Sequence, residues 1–132
     1  MAALLQAVNK YGPKIDPNET AELEKVVRWM ASRTGLNASE VLMVMREMRD
    51  GILFFNGMGT PVRLPGVGTF TPYVNRDGVF KVGFRADAQL KKLINGPEGF
   101  EGRMKNQANI GISNEDLKAL WDADHPDDPL EI

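Results

Sequence analysis

The sequence contains no cysteine, and that absence removes disulfide scaffolds, thiolate zinc sites and cysteine nucleophiles together. It contains one histidine, His125, set beside Pro126 in an acidic stretch that it would have to leave to join a Ser-His-Asp arrangement. No run approaches the roughly 18 consecutive apolar residues of a membrane span. The opening "MAALLQAVNKYGPK" has neither a basic start nor a long apolar run, so the expected location is cytoplasmic. Asp122, Asp124, Asp127 and Asp128 superficially resemble a calcium loop, but Pro126 interrupts them and the glycine and closing glutamate are missing. "PGVGTF" lacks the lysine-serine pair and the helix start of a phosphate-cradling loop. With no nucleophile, base or metal set assembled, the expectation is a protein without enzymatic activity, cofactor or metal.

What is present has the balance of an ordinary globular chain. At 132 residues, 42% hydrophobic and 26% charged, it reads as one domain plus tails. The net charge of −2 divides unevenly: residues 1–75 carry +1, residues 76–105 carry +3 and residues 106–132 carry −6. A basic middle suits nucleic-acid contact, although an excess of this size is small.

Residues 1–19 read as an N-terminal extension, punctuated by Gly12, Pro13 and Pro17 and ending at a helix cap, Asn18 or Thr20. Leu23, Val26, Val27 and Met30 fall on one helical face, and Gly35 stands at a C-cap, which predicts a helix over 20–34. "NASE" at 37–40 caps a second helix through Asn37 with Glu40, or through Ser39. From Val41 to Phe55 ten of fifteen residues are apolar, far wider than the stripe a surface helix needs. In a chain this short, a second copy is the expected source of the extra cover. Met43, Met45 and Met48 read as core filler.

"NGMGTP" ends that helix, and Val62 and Leu64 alternate as a short strand bounded by Pro61 and Pro65. Gly66 and Gly68 mark a sharp turn or bulge. Phe70 to Asn75 forms the next strand, Asn75-Arg76-Asp77-Gly78 turns the chain, and Phe80, Val82 and Phe84 alternate on the return. Asp87 caps a third helix whose stripe is Leu90, Leu93 and Ile94, ended by Gly96-Pro97. The order over about 20–95 is therefore α-α-β-β-β-α. Residues 96–132 read as a linker with one short helix, capped at Ser113 and running through about Trp121, then an acidic tail, "DADHPDDPLEI", that is disordered or laid along a partner.

Leu64, Gly66, Val67, Gly68, Thr69 and Phe70, placed after two helices, resemble the "L-x-G-[FV]-G-T-F" signature of the HU/IHF family of bacterial histone-like DNA-binding proteins. Phe84 followed by "ADAQLKKL" resembles that family's step from strand to final helix, and the likeness covers about 75 residues. The resemblance implies an α+β fold of two N-terminal helices, a three-stranded antiparallel sheet and a C-terminal helix, intertwined as a homodimer. It also implies a nucleoid-associated role. Val41, Val44, Met45, Met48, Ile52, Phe55, Phe70 and Phe84 are the residues expected at the dimer interface.

The chain departs from the family where the family grips DNA. In place of a long β-arm with a proline wedge it has only the four turn residues 75–78, with no proline at the tip. The family's lysine near the start of the last helix aligns with Ala88, and Asp87 replaces a glycine. The cations left on the surface are Arg63, Arg76, Lys81 and Arg85, joined by Lys91 and Lys92 on the last helix. They support weak, sequence-independent contact with the backbone of duplex DNA. The alternative is a dimeric structural or adaptor protein that keeps the fold without DNA binding. The acidic tail has two expected roles: competing with DNA for these cations, or packing Leu117, Leu120 and Trp121 on the body and offering a protein partner its charge.

Overall fold

The computed structural model describes residues 2–131, a mixed α+β chain with five helices and seven strands among those residues. It separates into two compact units: a middle unit, Glu19–Phe100, and an end unit built from residues 2–18 together with 101–131. The middle unit carries the six elements expected of it, in the expected order.

Helix α2 (Leu23–Thr34) starts later than the caps at Asn18 and Thr20 predict. Asn18 faces Arg103 in the end unit, its Oδ1 accepting from Nη2 at 3.4 Å, and the chain reaches helical geometry only after Glu22. Helix α3 (Ala38–Gly57) begins as its sequence dictates. The Asn37 oxygen accepts from the Glu40 amide at 2.9 Å while the Asn37 amide donates to the Glu40 carboxylate at 2.8 Å. Val27 and Val41 are the buried apolar residues where α2 meets α3. Helix α4 (Ala88–Ile94) starts under the Asp87 carboxylate, which accepts from the Gln89 amide at 2.8 Å.

Three strands, β3 (Val62–Leu64), β4 (Gly68–Val74) and β5 (Phe80–Ala86), form one antiparallel sheet in that order. Pro65 and Gly66 hold the turn between β3 and β4, with Gly66 at φ +82° and the Val67 amide donating to the Leu64 carbonyl at 2.9 Å. Gly68 follows because nothing larger fits: a Cβ there would lie 2.5 Å from the Arg85 carbonyl oxygen and 2.6 Å from the Phe84 ring. Pro72 sits in a middle strand without costing a ladder bond on that side, since β3 pairs only with Gly68 to Phe70.

The end unit is where the structure departs from the sequence reading. The residues taken as an extension form β1 (Ala2–Ala3), α1 (Leu4–Tyr11) and β2 (Lys14–Asp16). The residues taken as linker and tail form β6 (Arg103–Lys105), a 3-10 turn at Gln107–Asn109, α5 (Asn114–Asp124) and β7 (Leu130–Glu131). β1 pairs in parallel with β7 and β2 pairs antiparallel with β6. Ala2, Ala7, Leu117, Trp121 and Leu130 close a core, with Leu4, Tyr11 and Ile112 packed against it. The described part of the tail, expected to be disordered or laid along a partner, is instead folded onto the chain's own N-terminal segment. Its expected packing does occur, at Leu117 and Trp121, but against the chain's own N-terminal segment, with Leu120 left at the surface.

Side chains stitch this small unit where strands are too short to hold it. Asn106 donates to the carbonyls of Lys10 and Gly12 at 3.0 and 3.1 Å, and Asn109 donates to that of Tyr11 at 2.8 Å. Asp122 accepts from the Leu130 amide at 2.8 Å and from Lys118 at 2.7 Å, and Lys118 also donates to the Leu130 carbonyl at 3.0 Å. These bonds hold the Asp122 carboxyl below the usual carboxylate range, the Lys118 ammonium first and the Leu130 amide second.

Candidate nucleic-acid interface

Strand alternation sorts the middle sheet into two chemically different faces. Residues directly opposite across an antiparallel pair share a face, so the register Val62 to Phe70 to Phe84 defines one side. Pro72 with Val82 and Val74 with Phe80 continue it, and the Phe70 and Phe84 rings pack with centroids 4.8 Å apart. Every side chain in these rows is apolar.

The opposite side carries the charge. Arg63 lies across from Thr69, which lies across from Arg85, and Lys81 lies across from Tyr73. With strands about 4.8 Å apart and residues rising about 3.3 Å along each, the two arginines stand roughly 10 Å apart and Lys81 roughly 13 Å further along β5. All three cations are exposed, and among the described residues none of them makes an ion pair. Arg76 adds a fourth at the hairpin tip. Its turn is fixed by Asn75, whose side-chain oxygen accepts from the amides of Asp77 at 2.9 Å and Val79 at 3.0 Å. Lys91 and Lys92 lie outside this face, in the last turn of α4. A row of cations interleaved with threonine hydroxyls offers hydrogen-bond donors of the kind that suit phosphate oxygens.

One residue of this face was absent from the candidates drawn from the sequence. Tyr73 is the single aromatic among Arg63, Thr69, Thr71, Lys81 and Arg85, and it is 51% exposed. Its ring leans over Gly83, where a Cβ would meet the ring carbon Cε1 at 3.4 Å. The signal available in the sequence was its parity: Thr69, Thr71 and Tyr73 alternate with Phe70, Pro72 and Val74, so an aromatic occupies a polar position.

The apolar side of the sheet stays largely open. With the C-terminal end of α3 it forms an open groove of about 600 Å³, lined by Leu53, Pro72, Val74, Phe80 and Val82 and bordered by Tyr73 and Lys81. Asn56, also on this lining, is buried and ties helix to sheet by donating to the carbonyls of Thr60 and Phe70 at 3.0 and 3.3 Å. Of the expected dimer-contact residues, Val44, Met48, Phe55 and Phe84 are exposed, and Met45, Ile52 and Phe70 are half-buried. Val41 differs: the chain's own packing already covers it to 3%, leaving no surface to offer a partner.

In the end unit His125 does leave the extended path its neighbours suggest, docking flat on Trp121 with ring centroids 3.8 Å apart. Its Nδ1 is 3.1 Å from the Trp121 carbonyl and its Nε2 is 3.4 Å from the Lys10 ammonium, so neither nitrogen faces a hydroxyl nucleophile. Beside it the Tyr11 hydroxyl donates to Asp124. Burial, then that carboxylate, pushes the Tyr11 phenol up to about 12. Among the described residues no cluster of His, Asp and Glu is arranged to hold a metal ion, and no helix is long and apolar enough to cross a membrane.

No model of a known protein family matches the chain, and a search of curated proteins finds none similar to it.

Proposed function

We propose that the middle unit is an HU-like module that pairs with a second copy of itself. Its cationic sheet faces then hold the backbone of duplex DNA weakly and without reading sequence. The observation that carries this is the division of one small sheet into an apolar side and a side bearing Arg63, Lys81 and Arg85, none of which has an ion-pair partner among the described residues. The order of elements and the glycine motif at 66 and 68 add to it.

The surface area supports the pairing. A compact monomer of this mass exposes about 6,900 Å², and two separate globules sized like these units would together expose about 8,300 Å². The chain exposes 10581 Å². The excess over even the two-globule figure, about 2,300 Å² per copy, matches what obligate dimers hide. Wide exposure of Val44, Leu53, Phe80, Val82 and Phe84 supports a pairing surface on these faces.

The test is fluorescence anisotropy of a labelled duplex with the full-length protein from about 25 to 200 mM salt. A dimer doubles Arg63, Arg76, Lys81 and Arg85, and if half of those contacts engage, affinity falls on the order of a thousandfold over that range. Reversing two of them together, Arg76→Glu with Lys81→Glu, is expected to abolish binding. Absence of binding at the lowest salt, by a protein shown to be dimeric, would instead favour the adaptor reading. The four-residue hairpin tip, carrying Asp77 beside Arg76, is the observation on that side.

A further inference from the structure

We infer that Tyr73 is a stacking residue for unpaired bases, so that the cationic sheet face takes single-stranded DNA as well as the duplex backbone. The inference rests on the reading of that face as a nucleic-acid surface and names a further class of strand that it accepts.

Three observations carry it. First, Tyr73 stands outside the paired apolar rows. Strand register puts it on the face of Arg63, Lys81 and Arg85, although it also borders the groove beside α3. Second, its surroundings leave the ring available. Its cross-strand neighbour is Lys81, and the diagonal position is Gly83, with no side chain to cover it. The ring edge, Cδ1 and Cε1, lies over the bare backbone at Gly83, where no side chain covers it. Among the described residues its hydroxyl makes no hydrogen bond, and half of the residue remains in solvent. Third, it stands in the middle of the charge. Lys81 is directly opposite, and Arg85 and Arg63 lie further along the same face. A flat aromatic flanked by cations is the combination that holds single strands: the cations track phosphates while the ring stacks a base, and every base offers a π-face. In an intact duplex the bases are already stacked on one another, so the ring has nothing to take.

The experiment compares the full-length protein and its variants on three labelled probes at low salt. They are a thymidine strand of about 20 nucleotides, the matching strand of abasic sugar-phosphate units, and a duplex of the same length. Tyr73→Leu keeps apolar bulk on the sheet but removes the π-face. It is expected to weaken binding to the thymidine strand about tenfold while leaving the abasic strand and the duplex within about twofold. Tyr73→Phe is expected to bind all three probes as the parent does. Tyr73→Trp gives a readout independent of affinity, with emission quenched by the thymidine strand and unchanged by the abasic one. Circular dichroism of each variant guards against loss of the sheet. Equal binding of the thymidine strand by Tyr73→Leu and the parent would overturn the stacking role, as would an equal loss on thymidine and abasic strands. In those cases salt-dependent duplex binding by the parent leaves the broader reading standing. Failure of the parent to bind any of the probes would overturn both.

Discussion

The two units of this chain solve the same problem in opposite ways. The end unit is short and acidic, and it closes on itself: Trp121 is 7% exposed, Leu117, Leu130, Ala2 and Ala7 surround it, asparagine side chains take the carbonyls at the end of α1, and Asp122 takes the Leu130 amide in β7. The middle unit is longer, has regular helices and a proper sheet, and closes on nothing. Its apolar core proper consists of Val27 and Val41, while Phe80 stands 80% exposed on the sheet. Length and regular secondary structure therefore do not by themselves produce a core. Open apolar faces on well-formed elements are what the proposed pairing would cover, whereas the sealed centre of the end unit leaves less apolar surface exposed.

That contrast is breakable at defined points. The largest effect is expected from Trp121→Ala, which removes the centre of the end unit, including the 2.7 Å bond from its indole to the Asp128 carbonyl. A loss of about 3–5 kcal/mol should melt that unit. Hydrogen exchange should then show unprotected amides in residues 2–18 and 101–131 with protection in α3 unchanged. Next comes Val44→Glu. Val44 is 57% exposed in the single chain, so the charge is harmless to the monomer. Buried against a second copy it should weaken association at least a hundredfold, read by sedimentation, and remove the concentration dependence of thermal unfolding. If sedimentation shows the parent protein to be monomeric, the comparison drawn above fails at its root.

The smallest effects follow pH and belong to the end unit alone. Asp122 has a lowered carboxyl, so the stability it contributes is present above the ordinary value near about 3.9 and is lost as pH falls through its lower folded value. Tyr11 is raised, so its contribution is present below the ordinary value of about 10 and is lost as pH climbs towards about 12. Each unit carries one tryptophan, Trp29 in the middle and Trp121 at the end. Trp29→Phe therefore isolates the end unit's emission, which should shift at both extremes of pH.

Local signals in the sequence carried much of the middle unit. Asn37 with Glu40, Asp87 and Asn75 to Gly78 act within four residues of themselves, and each was found where the residues placed it. The alternation of Phe80, Val82 and Phe84 likewise told the two sheet faces apart, which put Lys81 and Arg85 on the same side. The end unit was not legible for the converse reason. Its defining contacts join Ala2 to Leu130 and Ile15 to Met104, and no motif in "AVNKYGPKID" announces a partner nearly ninety residues away. Leu4, Ala7 and Tyr11 do share a helical face, a weak signal that three residues of a short helix cannot make decisive. Tyr73 was missed because aromatic residues in a strand are read first as packing, and only the register reveals that this one faces the wrong way for it.

The pairing of β2 with β6 has a consequence in time. Strand β2 leaves the ribosome long before its partner exists: 86 residues separate Asp16 from Arg103. At ordinary rates of synthesis, about 5–20 residues per second, that interval lasts on the order of ten seconds. During it the whole middle unit is made. The N-terminal segment must keep Leu4, Ala7 and Tyr11 unclaimed while a stretch of chain with wide apolar faces is made and folds. Lysines at 10 and 14 within the waiting segment would keep it soluble through that delay, and arrival of Leu130 would complete the fold.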